Sequence, residues 1–502
     1  MKVLIANRGE IAVRILRACR EMGLGTVAVY SDCDRSALHV RMADAACHLG
    51  PAPAVDSYLR IDRLVAAAKD AGATFVHPGY GFLAENAEFA LACRQAGLVF
   101  VGPTPQAIAQ MGRKTSARDV ARGVGVPVVP GTDVPFDVDA PDETVMAAAM
   151  SIGYPLLIKA VAGGGGKGMR AVAEPGELIA ALGRARSEAQ SAFGDGRCYL
   201  ERRLIEPRHI EIQLLGDSRG TVVPFVEREC SIQRRHQKVL EESPAAHLAP
   251  ATRHAMAEAA ARIARAVGYT SAGTIEFLVD RDGQFYFLEM NTRLQVEHPV
   301  TEAVTGVDLV CWQLRIAGGE PLTVDPRQAI EPRGHAIECR IYAEDPDRGF
   351  MPSPGRVTSV VTPGGPGVRD DRGVSAGDEI STYYDPLIAK LTVWGESRPQ
   401  AIDRLGRALD EYRVTGVRTT LPFFRWLVGR PEFRGSPLST TFLDEVLASR
   451  REPFVEPSAG DVLDGAIVAA VAAGMRGRRA VPPGAASDGS RWLSAARRDP
   501  LR

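Results

Sequence analysis

Short apolar runs alternate with longer amphipathic stretches over the first hundred residues. "KVLIAN" and "TVAVYS" are typical of buried strands, and "EIAVRILRACREMG" has the period of a helix that ends at Gly23. "FVHPGYGFLAEN" and "LVFVGP" continue the alternation to about Pro103. This order predicts a doubly wound α/β unit. Its first turn, "NRGEIA", lacks the G-x-G-x-x-G spacing, which argues against an NAD enzyme.

The pattern changes twice further along the chain. A helical connection through "MGRKTSARDVARG" leads to two strands around a glycine run, a helix and the strand "CYLERRLI", which predict an α+β module from about Gly131 to Leu204. From Pro207 to about Leu447 strands predominate, with turn signals such as "GDSRG" and "DRDGQ". After Arg450 a short apolar helix and a linker-like tail are expected.

"LEMNTRLQVEHP" carries a polar side chain at every second position. A period of two predicts a strand with these side chains on one face, namely Glu289, Asn291, Arg293, Gln295 and Glu297. A solvated face is the ordinary alternative. An active site is favoured because the same face continues back into Phe287 and Phe285, the opposite face is apolar, and the polar groups mix acid, amide and guanidinium.

A hairpin is predicted where "TIEFLVD" and "QFYFLEMN" flank an Asp-Gly pair. If Asp282 and Gly283 form a two-residue turn, Glu276 lies opposite Glu289, and a bulge would shift this register by one residue. Two opposed carboxylates, about 5 Å apart at Cβ, destabilise a sheet unless they are neutralised. A hard divalent cation that also binds substrate phosphates would neutralise them.

The glycine run "AGGGGKGM" is suited to wrapping phosphates with backbone N–H groups. It is not a Walker A loop, because Gly168 and then Met169 follow Lys167, whereas that motif requires Ser or Thr directly after its lysine. A flexible linker is the alternative, but the flanking strands favour a hairpin tip that folds over a nucleotide. Lys159 and the earlier Lys114 would then be phosphate counter-charges.

Composition excludes several classes of protein. With 60 basic and 61 acidic residues the net charge is −1, so neither nucleic acid nor an anionic membrane is expected as a partner. The eight scattered cysteines indicate reduced thiols in the cytoplasm. The longest late apolar run, Gly465–Met475, is far shorter than the ~20 residues that span a bilayer. A soluble cytoplasmic protein is expected, with Cys230 a bystander thiol.

Two further groups of basic residues could have a structural role instead of a role in an active site. "RRHQK" is more often a surface charge run, and Arg340 in "GHAIECRIYAEDP" could form a structural ion pair with Glu338.

Several stretches occur together in one order over about residues 1 to 447, namely "ANRGEIAVRI", "HPGYGFLAEN", "MGRKTSAR", "YPLLIKAVAGGGGKGM", "EPRHIEIQ", "ERECSIQRRHQKVLEESP", "LEMNTRLQVEHPVTE" and "GHAIECRIYAEDP". In this combination they resemble the biotin carboxylase family of the ATP-grasp superfamily. The resemblance implies a mixed α/β and α+β fold with an N-terminal doubly wound α/β domain (1–113), a mobile glycine-rich lid (114–204), an ATP-grasp core with a C-terminal domain (205–447) and an extension (448–502). The implied reaction is MgATP- and bicarbonate-dependent carboxylation of a biotin ureido nitrogen.

The resemblance also implies roles for single residues. Phosphates would be held by Lys114, Lys159 and the backbone of Gly165 and Gly166. The adenine pocket would be lined by Glu201, Arg202, Arg203 and Leu204, with His209 and His236 bounding the nucleotide. Magnesium would bind to Glu276, Glu289 and Asn291.

Bicarbonate and biotin would occupy the other end of the site. Bicarbonate would be bound by Lys238, Arg293, Gln295 and the Val296 backbone. Glu297 would be the general base, Arg340 would stabilise the enolate-like biotin intermediate, and Tyr80 would lie near the ureido ring.

The implied cofactors are ATP and Mg²⁺, with Mn²⁺ as a substitute. Biotin is expected as a carrier-bound substrate, because the only Met-Lys pair is Met1-Lys2 whereas self-biotinylated relatives use Ala-Met-Lys-Met. The expected partners are a biotin carboxyl carrier protein, a carboxyltransferase and a second copy of the chain. Acetyl-CoA carboxylase, in fatty acid biosynthesis, is the expected context. The alternatives are a split pyruvate carboxylase and a silent ATP-binding regulatory subunit.

Overall fold

The computed structural model describes residues 1–161, 169–435, 437–454, 467–468 and 470–471. The chain divides into two compact units, Met1–Glu452 and Pro453–Arg502. Almost all of the second unit, with most of the predicted apolar helix Gly465–Met475 and the linker-like tail, lies outside the described residues. The glycine loop, with Gly165 and Gly166, also lies outside them.

The N-terminal part is the predicted doubly wound α/β unit. Its parallel strands are in the order β3-β2-β1-β4-β5. Its elements are β1 (Lys2–Ile5), α1 (Gly9–Glu21), β2 (Gly25–Ser31), α2 (Leu38–Met42), β3 (Ala45–Gly50), α3 (Ile61–Asp70), β4 (Phe75–His77), α4 (Ala87–Gln95), β5 (Val99–Phe100) and α5 (Pro105–Met111). The strand residues Val3, Leu4 and Ile5 are fully buried, as expected for a parallel sheet covered on both faces. Loops at the carboxyl ends of β1 and β4 meet where Asn7 Nδ2 donates to the carbonyl oxygens of Pro78 and Tyr80, each at 2.7 Å.

The next part is a small α+β module around the antiparallel sheet β7-β6-β8. Its elements are α6 (Lys114–Gly123), α7 (Asp142–Ile152), β6 (Leu156–Ala160), β7 (Met169–Val172), α8 (Leu178–Phe193) and β8 (Cys198–Arg202). Leu156, Ile158 and Leu200 are fully buried in its core. Lys159 pairs with Met169 across β6 and β7, so the predicted strands do flank the glycine loop.

A large antiparallel sheet forms the rest of the main unit, in the order β14-β13-β9-β11-β12-β15-β22-β20, with β10 beside β9. Its first half comprises β9 (Arg208–Gly216), β10 (Val222–Pro224), β11 (Arg228–Arg234), β12 (Gln237–Ser243), α9 (Pro250–Ala266), β13 (Ser271–Val279), β14 (Phe285–Asn291), α10 (His298–Thr305), α11 (Leu309–Ala317) and α12 (Pro326–Ile330). Its helices cover an apolar core that includes Ile212, Ile275 and Phe277.

The second half of this region comprises β15 (His335–Tyr342), β16 (Glu344–Asp345), β17 (Met351–Pro352), β18 (Gly355–Arg356), β19 (Ser359–Val361), β20 (Val368–Arg372), β21 (Glu379–Ile380), β22 (Leu387–Gly395), α13 (Arg398–Glu411), β23 (Arg413–Thr415), α14 (Leu421–Val428), α15 (Pro431–Gly435) and α16 (Phe442–Ser449). Short 3₁₀ helices occur at Asp32–Asp34, Ala54–Asp56, Pro175–Glu177 and Pro346–Arg348. The predicted richness in strands after Pro207 is therefore confirmed.

The predicted pairing of Glu276 with Glu289 is confirmed, although the predicted turn is wrong. Val279 pairs with Phe285, and the Asp280 N–H donates to the Gln284 carbonyl oxygen at 2.9 Å, so the loop has an extra residue and uses a positive φ of 79° at Gly283. A register shift at Leu288 then adds one residue to β14. The two deviations cancel at Glu276.

The prediction of one continuous strand over "LEMNTRLQVEHP" is wrong. Strand β14 ends at Asn291, and helix α10 begins at His298. The Thr292 N–H leaves the sheet and donates to Glu85 Oε1 at 2.9 Å. Pro299 carries the missed signal, because proline is common in the first turn of a helix.

Within the described residues, every helix is too short or too polar to cross a membrane. All eight cysteines are free.

Candidate active site

Three lysine and arginine side chains gather where the small module meets the large sheet. Lys114 begins α6, and both Lys159 and Arg118 form ion pairs with the carboxylate of Glu201 on β8. Burial lowers the pKa of Lys114, while the carboxylate of Glu289 acts in the opposite direction. The structure therefore brings Lys114, Lys159 and Glu201 together.

Other residues predicted for the nucleotide are more exposed than this cluster. The side chains of Arg202 and Arg203 are exposed, and Leu204 is half-buried. His236 is exposed at the tip of the β11–β12 hairpin, where φ is 65°. Its predicted contact with a nucleotide therefore stays a prediction.

The paired acids Glu276 and Glu289 lie between this cluster and the centre of the site. Burial raises the pKa of Glu289, and the neighbouring Glu276 raises it further. Burial opposes the charge of Glu276 also, but Lys238 and His209 outweigh burial and lower its pKa. The His209 Nε2 atom lies 2.9 Å from Glu276 Oε2. The charge of Glu276 is thus compensated, whereas the basic groups near Glu289 only partly offset its burial.

Lys238 is the charge centre of the site. Its Nζ lies 2.5 Å from Glu211 Oε2, 2.9 Å from Glu276 Oε1 and 2.8 Å from Glu297 Oε1. Burial would lower the pKa of Lys238, but these carboxylates outweigh burial and hold it well above its usual value. The lysine therefore stays charged and links three strands and the turn before α10.

Glu297 is fully buried and is held by two cations. Its Oε1 accepts a hydrogen bond from Lys238, and its Oε2 accepts one from Arg340 Nη2 at 2.9 Å. Burial opposes the charged carboxylate, but Lys238, Arg340 and Arg228 together hold the pKa of Glu297 well below its usual range. Arg340 Nε donates to Glu241 Oε1 at 2.7 Å, so the alternative pairing with Glu338 is replaced by Glu241 and Glu297.

The polar residues after β14 converge on the same place despite the end of the strand. Asn291 Nδ2 and Gln295 Nε2 donate to Glu276 Oε1 at 2.7 and 3.0 Å. Arg293 donates to Asn291 Oδ1 at 2.9 Å, to Gln295 Oε1 at 2.7 Å and to Glu85 Oε2 at 3.0 Å. All five polar residues of the segment therefore lie in or beside one cluster.

The sequence reasoning missed several buried charged residues. Arg228 and Glu211 are fully buried and pair with each other at 2.5 Å. The missed signal is the alternation of His209, Glu211 and Gln213 along β9, which has the same period of two as residues 289–297. Glu241 gave no periodic signal.

Two predicted residues lie at the edge of the cluster. Cys230 is buried with Sγ 3.8 Å from Glu297 Oε1, and burial raises the pKa of its thiol well above the usual value, which agrees with a bystander thiol. The Tyr80 ring centroid lies 5.8 Å from Lys390 Nζ.

Comparison with known proteins identifies the family. Residues 1–108 match the model for the biotin carboxylase N-terminal domain, 113–325 that for the carbamoyl-phosphate synthase L chain ATP-binding domain, and 338–445 that for the biotin carboxylase C-terminal domain. The chain belongs to the biotin carboxylase family. It is therefore an ATP-dependent carboxylase, a ligase, as the sequence resemblance predicts.

Relatives of this biotin carboxylase family member cover nearly its whole main unit. It is 52% identical over 445 residues to "Biotin carboxylase" of Nostoc sp., a match covering 89% of this chain and 99% of that one. It is also 52% identical over 445 residues to one of the pyruvate carboxylase subunits of Methanothermobacter thermautotrophicus, covering 88% and 89%.

Solved structures confirm the predicted ATP-grasp fold. A biotin carboxylase–β,γ-ATP complex from Campylobacter jejuni superposes with a TM-score of 0.84 at 45% identity, covering 88% of this chain and 98% of that one. The biotin carboxylase domain dimer of Hydrogenobacter thermophilus 2-oxoglutarate carboxylase, with MgADP, ADP and bicarbonate, has a TM-score of 0.84 at 46% identity, covering 90% and 99%. The predicted cofactors, ATP and Mg²⁺, agree with these complexes.

The residues present fit a magnesium ion. Glu276 and Glu289 oppose each other across β13 and β14, and carboxylate oxygen is the donor that Mg²⁺ prefers. Burial and the neighbouring Glu276 raise the pKa of Glu289, and a bound cation would oppose both effects. Asn291 Oδ1 already accepts from Arg293, which leaves its second lone pair for a metal.

Proposed function

We propose that the chain carboxylates biotin on a separate carrier protein, using MgATP and bicarbonate, through carboxyphosphate. The observation that carries the proposal is the fully buried Glu297 between Lys238 and Arg340. A carboxylate that two cations keep charged is placed where a proton acceptor and an anion site are needed together.

The nucleotide would bind beside the small module. Lys114, Lys159 and the Gly165–Gly166 backbone would hold its phosphates, and residues 201–204 would line the adenine pocket. Magnesium would be held by Glu276, Glu289 and Asn291, and when bound it would neutralise charge on the phosphate oxygens. The ion pair between Lys159 and Glu201 supports this assignment, because a phosphate oxygen could replace the Glu201 carboxylate as the partner of the lysine.

Bicarbonate would be bound by Lys238, Arg293, Gln295 and the Val296 N–H. Glu297 would remove its proton, so that a bicarbonate oxygen attacks the γ-phosphorus and ADP leaves. The low pKa of Glu297 makes it a weak base in the free enzyme. An anion beside Lys238 would share that lysine and add negative charge, and both effects raise the pKa of Glu297 toward the working range.

Biotin would be bound at the Arg340 end of the site. Carboxyphosphate would break down to CO₂ and phosphate, and the phosphate would take the ureido N–H proton before nitrogen attacks CO₂. Negative charge would develop on the ureido oxygen, where the Arg340 guanidinium, already fixed by Glu241, would stabilise it without reorganising. Tyr80 would lie beside the ring.

The proposed context is acetyl-CoA carboxylase, with a carrier protein and a carboxyltransferase as partners and a dimer of this chain. The match covers 99% of the Nostoc biotin carboxylase, and this supports a carrier protein that is a separate chain. The Hydrogenobacter structure is described as a dimer, which supports self-association. Pyruvate remains the competing acceptor, because the Methanothermobacter relative has the same sequence identity to this chain as the Nostoc relative.

For the domains we propose the boundaries 1–113, 114–204, 205–447 and 448–502.

ATP hydrolysis by the purified chain tests this function. With bicarbonate present, free biotin is expected to stimulate release of ADP. No stimulation, with ATP still bound, would instead support a silent regulatory role. Isotope transfer from labelled bicarbonate to acetyl-CoA or to pyruvate, with the purified carrier and each carboxyltransferase, then identifies the acceptor.

A further inference from the structure

A further buried lysine contacts the backbone of the turn that carries Glu297. Lys390 lies on β22 and is fully buried. Its Nζ donates to the Val296 carbonyl oxygen at 2.6 Å. A fully buried ammonium group is rare and carries a desolvation cost, so a fold retains it only with strong compensation.

The ionic partner of Lys390 is weakly engaged. Glu10 Oε1, from the first turn of α1, lies 3.4 Å from Nζ. Both carboxylate oxygens of Glu10 are buried without a hydrogen-bond partner in the described part of the chain. The ammonium is therefore aimed at the Val296 carbonyl, and Glu10 supplies charge from farther away.

The position of Lys390 in the sheet explains this aim. Arg340 on β15 and Lys390 on β22 are direct cross-strand partners, so their side chains leave the same face of the sheet. Arg340 donates to the carboxylate of Glu297, and Lys390 donates to the carbonyl of the preceding residue. Two neighbouring cations thus hold consecutive residues of one turn.

Among the residues that the structure describes, the other contacts of the turn do not hold the carbonyl of Val296. His298 Nδ1 lies 2.7 Å from the Gln295 carbonyl oxygen, which closes the turn locally. The peptide that joins Val296 to Glu297 is held through its carbonyl by Lys390. Its orientation sets where the Glu297 side chain begins, and the same turn presents the Val296 N–H.

We propose that Lys390 is a positioning residue that fixes the Val296–Glu297 peptide and thereby places Glu297 for proton transfer. This inference rests on the proposed role of Glu297 as the base. A base displaced by about 1 Å loses on the order of 10²-fold in rate. The alternative is that Lys390 serves only to neutralise Glu10.

Three variants separate these roles, namely Lys390→Met, Glu10→Gln and the double variant. Lys390→Met removes the bond to Val296 and leaves Glu10 without its cation. Glu10→Gln keeps the bond to Val296. The double variant loses that bond but also lacks the Glu10 carboxylate, so it is expected to fold even if Lys390→Met alone does not.

If Lys390 positions Glu297, kcat for biotin-stimulated ATP hydrolysis falls about 10²-fold in both Lys390→Met and the double variant, with the KM for ATP unchanged. Glu10→Gln retains most of the wild-type kcat. A double variant as active as Glu10→Gln would overturn the proposal in favour of charge neutralisation. So would wild-type kcat in Lys390→Met, or failure of both Lys390 variants to fold. Absence of biotin-stimulated turnover in the wild-type chain would instead refute the proposed function.

Discussion

Replacing Glu297 with Gln tests the base on which the proposed chemistry depends. The carboxylate is fully buried and accepts from Lys238 at 2.8 Å and from Arg340 at 2.9 Å. Glutamine keeps the shape of the side chain, but it cannot take a proton at neutral pH. Its NH₂ group also faces one of the two cations.

The structure separates the catalytic cost from the cost in stability. Loss of a general base lowers the rate by about 10²–10⁴-fold, or about 3–5 kcal/mol. Loss of a charge-assisted hydrogen bond costs about 1.5–3 kcal/mol of folding free energy. Lys238 keeps Glu211 and Glu276, and Arg340 keeps Glu241, so neither cation is orphaned. The variant is therefore expected to fold.

The assay is steady-state ATP hydrolysis with bicarbonate, with and without biotin, together with equilibrium titration of a fluorescent ATP analogue. Glu338→Gln is a control for the loss of a fully buried carboxyl group, because Glu338 lies on β15 and its Oε2 accepts from Thr392 at 2.7 Å. We expect Glu297→Gln to lose about 10³-fold in kcat with nucleotide affinity unchanged. Near-normal turnover in Glu297→Gln would exclude this residue as the base.

Three further predictions concern the metal site, the pH dependence of stability and the hairpin turn. Glu289→Gln removes the repulsion with Glu276, so it should stabilise the metal-free protein by about 0.5–1 kcal/mol yet raise the Mg²⁺ concentration needed for ATP hydrolysis; unchanged Mg²⁺ dependence would argue against this metal site. Burial raises the pKa of Glu338 to about 7, so the folded state binds more protons than the unfolded state between the usual glutamate pKa and that value, and stability falls as pH rises through this window. The melting temperature of Glu338→Gln relative to wild type should therefore rise by about 2 °C from pH 5 to pH 8, and a constant difference would contradict the shift. Gly283→Ala places a side chain at a φ of 79° and should cost about 1 kcal/mol in thermal unfolding with no change in Mg²⁺ dependence, whereas a stabilised variant would contradict the turn geometry.

Local patterning predicted the strands and helices that carry the site. Alternation identified the polar face around Glu289, and the Asp-Gly signal placed it opposite Glu276. That success depended on two compensating features, a longer loop and a shift at Leu288. Neither is visible in the sequence, because loop geometry and bulges depend on how the hairpin packs.

The continuous strand through Glu297 is the clearest failure of the same reasoning. A period of two beyond Asn291 coincided with a turn in which alternate side chains still reach one cluster. Leu294 in this turn is fully buried, and Arg293 is held by Glu85 from the N-terminal part of the chain. Long-range packing thus overrode the strand pattern.

The sequence by itself determined most of the element types, the family and the acids, amides and cations available for chemistry. Only the tertiary structure decided which of them meet: Glu211 with Lys238, Glu241 with Arg340, and Lys390 with the Val296 carbonyl. The reason is geometric. All of these partners except Val296, which lies in the turn before α10, are on strands of the large sheet. The order of these strands, β9-β11-β12-β15-β22, and their cross-strand register arise from packing of the whole domain, whereas a sequence pattern reports only the face on which each residue lies.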